Sequence, residues 1–276
     1  LDQSKGLVGL DKMGFEAETI KLWKEAYTSG NGIVLVTGPT GSGKSTTLYA
    51  TLTRVNTVEE HIITIEDPVE RQLEGIVQGH VNERAGMTFA AALRSMLRQD
   101  PDVIMVGEMR DRETADLAIR AALTGHLVFS TLHTNSAAAS YTRLVDMGCD
   151  PFLLTTTIRA ILAQRLIRKL CYKCKVKYRP TEKDLKSLGV EKLDGFIYHA
   201  NSNGCKTCGK DGYKGRAGIY ELLIPNEAIN EAVKNEASAE EVNRIASENK
   251  MKTLQQAALT YVVRGDTSVE EISRVL

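Results

Sequence analysis

The chain has 276 residues, with 35 Lys and Arg against 35 Asp and Glu, 25% charged and 42% hydrophobic residues. This composition excludes disordered, collagen-like and coiled-coil classes, and the length is ample for a buried core. A net charge of +0 argues against a domain devoted to gripping a phosphodiester backbone, since such domains are basic overall.

The predicted elements alternate between helix and apolar strand. Phe15 to Tyr27 reads as a helix that Ser29-Gly-Asn-Gly32 ends. Ile33 to Thr37 is an apolar, β-branched run of strand length leading into Gly38, and a helix follows through Val55. His61 to Ile65 is the next strand, ending at Glu66-Asp67-Pro68. Met87 to Arg98 has helical spacing of Phe89, Leu93, Met96 and Leu97, and Asp100-Pro101 stops it. Val103 to Val106 is a third buried strand, followed by Gly107-Glu108. A helix from Glu113 to Leu123 ends at Gly125, and Leu127 to Ser130 forms a fourth strand that leads to His133. Ser136 to Lys169 reads as two helices divided at Gly148 and Pro151. Leu170 to Gly218 is rich in Gly and Cys and too poor in aliphatics to build its own core. Asn226 to Leu276 reads as short amphipathic helices broken at Asn249 and Gly265, with Ser268 to Glu271 resembling a capping box. No window approaches the roughly 18 consecutive apolar residues of a membrane-spanning helix, so a soluble protein is expected.

Continuous apolar strands separated by helices are the pattern of a mainly parallel sheet covered on both faces, so the fold class is α/β. In such sheets ligands gather outside the carboxyl ends of the strands. Gly38, Glu66-Asp67, Glu108 and His133 each follow a predicted strand, which would bring them to one rim.

Gly38-Pro39-Thr40-Gly41-Ser42-Gly43-Lys44-Ser45 matches G-x-x-x-x-G-K-[ST] in full, between a strand and a helix that continues with Thr46. Glycines let backbone N–H groups turn toward phosphates at a helix N-terminus, where the helix dipole also favours anions. Lys44 would reach the β- and γ-phosphates of ATP and the Ser45 hydroxyl would ligate Mg²⁺. Glu108 occupies the position where a P-loop ATPase needs a carboxylate for the attacking water or the metal shell, and Glu66 and Asp67 share either task. No N-K-x-D motif supports a GTPase. His126 and His133 flank the fourth strand, one read as a γ-phosphate sensor and the other as a subunit contact.

Of five cysteines, Cys149 stands alone and reads as a small buried hydrophobe. Cys171 and Cys174, then Cys205 and Cys208, form two C-x-x-C pairs. The start, Leu1-Asp-Gln-Ser-Lys5, has no apolar signal segment, so the pairs read as Zn²⁺ ligands before disulfides or free thiols. Four protein ligands leave no open coordination position, which makes the zinc structural. The absent initiator Met leads to the expectation that the chain is the C-terminal portion of something longer.

Four motifs then carry a resemblance. Gly38 to Ser45, Ile65 to Glu70, Leu97 to Asp102 with Val106 to Asp111, and Thr124 to Asn135 resemble the Walker A, Asp box, atypical Walker B and His box of the bacterial secretion ATPase superfamily, in the same order over residues 5 to 276. Gly204 to Cys208 with Gly212 to Glu221 resembles the tetracysteine insertion of its type II secretion and type IV pilus assembly branch, which the pilus retraction branch lacks. The resemblance implies a RecA-like P-loop NTPase core over 1–169, a zinc-binding subdomain over 170–218 and a C-terminal helical subdomain over 219–276. It implies an ATP-hydrolysing motor for a pilus or secretion pseudopilus, working as a homo-oligomeric hexameric ring on inner-membrane assembly-platform proteins. Such a motor lies in the cytoplasm at the inner membrane, associated through partners and not through a transmembrane segment, with no nucleic acid bound. It also implies a further N-terminal domain whose arginines complete the nucleotide site. The alternatives are a RecA-like nucleic-acid translocase or helicase, disfavoured by charge balance and 5% aromatic residues, and a regulatory module that no longer hydrolyses, disfavoured by an intact Glu108.

Overall fold

A computed structural model describes residues 7–276, so readings resting on Leu1 to Ser4 and Lys5 lie outside the described residues. The elements in chain order are α1 (Ala17–Tyr27), β1 (Gly32–Thr37), α2 (Lys44–Val55), β2 (Ile62–Glu66), β3 (Val77–His80), α3 (Phe89–Met96), β4 (Val103–Val106), α4 (Arg112–Leu123), β5 (Leu127–Leu132), α5 (Ala139–Asp146), α6 (Pro151–Thr157) and β6 (Ile158–Leu170). They continue with β7 (Val176–Tyr178), α7 (Glu182–Leu188), β8 (Ile197–His199), β9 (Tyr213–Leu223), α8 (Glu227–Lys234), α9 (Ala239–Glu248), α10 (Leu254–Val263) and α11 (Val269–Val275).

Seven strands form one sheet in the order β3-β2-β4-β5-β1-β6-β9, and β7 with β8 forms a small antiparallel pair. β1 lies between β5 and β6, parallel to both, and the β4–β5, β2–β4 and β2–β3 pairs are parallel as well. Every residue of β1, β2, β4 and β5 is buried, as strands covered on both faces require. α2 and α4 pack on β1, and α3 packs on β2 and β4. The Trp23 indole, fully buried on α1, donates to Thr51 Oγ1 of α2 at 3.1 Å. The fold class is therefore α/β with a mainly parallel sheet.

The chain forms two compact units. The first runs up to Ala163 and takes back Leu222–Met251, which adds α8 and α9 to it; the second comprises Gln164–Glu221 and Lys252–Leu276. Lys and Arg exceed Asp and Glu in the second unit, and the reverse holds in the first, so the zero net charge is a cancellation between them.

One expectation fails outright. The run from Ser136 to Lys169 is not helical to its end: after α5 and α6 it becomes β6, a strand of 13 residues. Its apolar residues suit a buried helix and a two-sided buried strand equally, so periodicity cannot separate them. Pairing with β1, from Ile33 opposite Ile158 to Thr37 opposite Ala163, decides for the strand. Three further stretches outside the predicted strands, β3, the β7–β8 pair and β9, are extended too.

The C-terminal capping box is half formed. Ser268 Oγ accepts the Glu271 N–H at 3.2 Å, but the Glu271 carboxylate, in a residue 1% exposed, accepts instead from Arg168 Nε and Nη2 at 2.9 and 2.8 Å and from Arg274 Nη2 at 2.6 Å. Burial alone would raise this carboxyl, yet the Arg274 and Arg168 hydrogen bonds outweigh it and hold it down to about 2. Glu271→Gln is expected to destabilise the chain by about 1–2 kcal/mol at neutral pH, the half-exposed guanidiniums weakening what a fully buried pair would contribute. The carboxylate's contribution is full above its unfolded value of about 4.3 and lost as pH falls toward the folded value. Denaturant unfolding of both proteins should therefore show a gap at pH 7 that closes below about pH 4. A gap independent of pH would mean that lost packing, not the ion triad, explains the effect.

Candidate functional site

β1 ends in Thr37 and α2 begins at Lys44, so Gly38 to Gly43 form the connecting loop. Gly38, Gly41 and Gly43 have φ of 149°, 78° and 89°, a region that only glycine adopts at little cost. Gly43 is the N-cap of α2 and supplies no side-chain cap, which leaves the first-turn amides and the positive end of the helix dipole for an anion. Lys44 Nζ folds over the loop onto the carbonyls of Gly38 and Pro39 at 2.8 and 3.1 Å. Ser45 Oγ donates to Glu70 Oε1 at 3.2 Å. Thr37 Oγ1 meets Thr134 Oγ1 at 2.6 Å and accepts the Thr134 N–H at 3.0 Å, which ties the root of the loop to the segment after β5.

The next carboxyl ends of the sheet bring Glu108, Asp67 and His133 together. Gly107 N–H donates to Ile65 O at 2.8 Å, Thr131 Oγ1 donates to Gly107 O at 2.7 Å, and Met109 N–H donates to Thr131 O at 3.1 Å, so the backbone bearing Glu108 is held by β2 and β5. A Cβ on Gly107 would stand 3.2 Å from Ile65 O, a tight approach of the two strand ends. The Glu108 side chain is 15% exposed; Arg110 pairs with it, and His133 Nε2 lies 3.3 Å away. Arg110 also lies 3.7 Å from Asp67 Oδ2. The hydrogen bond to Glu108 raises the Arg110 guanidinium pKa further, and the cation stays fixed.

Two predicted residues lie elsewhere. Glu66 is 4% exposed, and its carboxylate accepts from Tyr49, from Thr64 Oγ1 at 2.6 Å and from Gln78 Nε2 at 3.1 Å. Three neutral donors on a buried carboxylate make a brace inside the sheet. His126 precedes β5, at its amino end, where Nδ1 lies 2.9 Å from Ala121 O and 3.2 Å from Thr124 Oγ1. The six residues of β5 separate it from the rim by about 20 Å. Of the two histidines, His133 alone stands at the rim beside Glu108, and His126 lies at the opposite end of β5. Of the arginines near the acidic motifs, Arg94, Arg98, Arg110 and Arg112, sequence alone favours solvated surface, whereas the structure sets Arg110 against Glu108; Glu70 and Tyr49 carry no separate sequence signal beyond the nearness of Glu70 to Asp67.

In the second unit, the Sγ atoms of Cys171, Cys174, Cys205 and Cys208 all lie within 4.8 Å of one another. The Cys171–Cys205, Cys174–Cys208 and Cys205–Cys208 separations are 3.7, 3.8 and 3.8 Å. Tetrahedral Zn–S bonds of about 2.3 Å place sulfurs about 3.8 Å apart, so the donor set fits Zn²⁺. Cys208 Sγ accepts N–H bonds from Cys205 at 3.2 Å and Gly212 at 3.3 Å. Desolvation acts to raise the Cys208 thiol, but these bonds bring it down to about 6, whereas desolvation and the neighbouring thiols push Cys174 up to about 12. Gly204, with φ 54°, belongs to the same cradle: a Cβ there would meet the Lys210 backbone at 2.3 Å.

The family model described as Type II/IV secretion system protein matches residues 1–274. The chain belongs to that family. It is 49% identical over 275 residues to the type II secretion system protein E of Pseudomonas aeruginosa, covering 100% of this chain and 54% of that protein. It is 47% identical over 277 residues to the type IV pilus assembly ATPase PilB of the same organism, covering 100% of this chain and 49% of that one. The chain thus spans about half the length of the curated relatives it matches. Among solved structures, the pilus retraction motor PilT with bound ADP aligns with a TM-score of 0.71 at 33% identity, over 97% of this chain and 66% of that one. That likeness makes the α/β unit a RecA-like ATPase fold, and membership in the secretion family does not fit the nucleic-acid translocase alternative.

Proposed function

We propose that the chain is the ATP-hydrolysing part of a motor that powers assembly of a type IV pilus or a type II secretion pseudopilus. The observation that carries this is the uncapped loop Gly38–Gly43 and Lys44 beside a carboxyl end bearing Glu108, Arg110 and His133. The relatives named for pilus assembly and type II secretion supply the biological setting. In this reading the N–H groups of the loop from Gly38 to Thr46, Pro39 excepted, and Lys44 bind the phosphates, and Glu108 orients and deprotonates the attacking water. Bound Mg²⁺, held by Ser45 with Glu70 at its side, would neutralise charge on the β- and γ-phosphates. Asp67 shares Arg110 with Glu108, and His133 reports nucleotide state through its contact with the Glu108 carboxylate. The working assembly is a homo-oligomeric ring, a hexamer, at the cytoplasmic face of the inner membrane, where hydrolysis moves its domains against platform proteins. No helix among the described residues is long and apolar enough to cross a membrane.

Lys44→Ala tests the site directly. Equilibrium titration with a fluorescent ATP analogue should show affinity lower by about tenfold or more, from loss of a charge-assisted phosphate contact. Binding that is undiminished, or a wild-type chain without Mg²⁺-dependent phosphate release from ATP, would overturn the reading.

A further inference from the structure

We propose that Tyr49 is a positioning residue that acts through Glu70 on Ser45, a role that rests on the nucleotide reading above. Tyr49 lies on α2, the helix that starts at Lys44, and is 3% exposed. Its hydroxyl donates to the buried Glu66 carboxylate and accepts the Glu70 backbone N–H at 3.1 Å. Burial and the hydrogen bond to Glu66 push the phenol pKa up, so the group remains a donor across the physiological range. Gln78 holds the far side of the same segment, donating to Arg71 O at 3.0 Å and accepting the Leu73 N–H at 2.7 Å. Held by Tyr49 at its own N–H, and with Arg71 and Leu73 fixed by Gln78, Glu70 presents its carboxylate to accept from Ser45 Oγ. The helix that begins at the phosphate loop thereby fixes, one turn further on, the loop that places a carboxylate beside its own metal-binding hydroxyl.

Tyr49→Phe removes one oxygen and keeps the ring. Glu66 would retain Thr64 and Gln78 as donors, whereas the Glu70 N–H would lose its acceptor and the loop its anchor. The readout is binding of fluorescent ADP to the wild type, Tyr49→Phe, Glu70→Gln and the double variant, with Mg²⁺ titrated and with EDTA. Tyr49→Phe should leave affinity in EDTA within about twofold and raise the half-saturating Mg²⁺ concentration about fivefold, the equivalent of one hydrogen bond. The double variant should be no worse than Glu70→Gln, since both changes remove one pathway. An unmoved Mg²⁺ midpoint, an equal loss with and without Mg²⁺, or additive effects would overturn the role of Tyr49. A merely structural tyrosine would lower thermal stability without moving that midpoint. A wild type that binds no nucleotide overturns the functional reading as well; one that binds Mg²⁺-nucleotide normally while Tyr49→Phe changes nothing overturns this inference alone.

Discussion

Glu108→Gln is expected to bind ATP within about twofold of the wild type while losing turnover by about 100-fold or more. Glutamine has nearly the same shape as glutamate but cannot take a proton from water. The backbone that carries residue 108 is held by hydrogen bonds to Ile65 and Thr131, so the substitution is expected to leave it in place. Among the described residues the Glu108 carboxylate meets Arg110 and His133 and not the loop Gly38–Gly43, which explains why binding should survive. Nucleotide titration and single-turnover hydrolysis on the same preparations separate the two quantities. An equal loss of both would move the catalytic role to another carboxylate, with Asp67 the nearest on the same guanidinium.

The four-cysteine cluster, which we propose holds zinc, carries the second large effect. Elemental analysis should find one zinc per chain, and Cys205→Ser should lose it and lower the thermal midpoint by about 10 °C or more. Cys205 lies 3.7 Å from Cys171 and 3.8 Å from Cys208, so its loss opens the cluster at its centre. The stretch around the cluster has little apolar content, and a zinc bound there would join segments that the helix α7 and the strand β8 separate. Because Cys174 is held protonated up to about 12, metal entry must displace its proton, and loading should release protons that a pH indicator detects. A metal-free protein of undiminished stability would remove the structural role.

Much of the α/β unit was legible because its signals are local. The loop Gly38 to Gly43 declares itself by glycine spacing, since positive φ at three places admits no other residue cheaply. The strand ends at Glu66 and Glu108 follow from apolar runs of strand length, and the cysteine pairs from ligand spacing. β6 was misread because a fully apolar segment carries no period, and only the neighbour β1 supplies the hydrogen bonds that favour extension. Glu66 and Glu108 look alike in sequence, each just past a buried strand. Tyr49, Thr64 and Gln78 satisfy the first carboxylate inside the sheet, while Arg110 and His133 flank the second at the rim, and those partners come from separate elements.

The glycine-rich loop, the paired cysteines and the parallel α/β class could be read without a structure, because each depends on spacing within a few residues or on a run of one kind of side chain. The tertiary structure alone decided which carboxylate faces the rim, which histidine stands beside it and how the balanced charges divide between the two units. Those outcomes depend on which strand end a residue occupies and on which distant donors reach it, quantities set by chain return and packing and not by any local pattern.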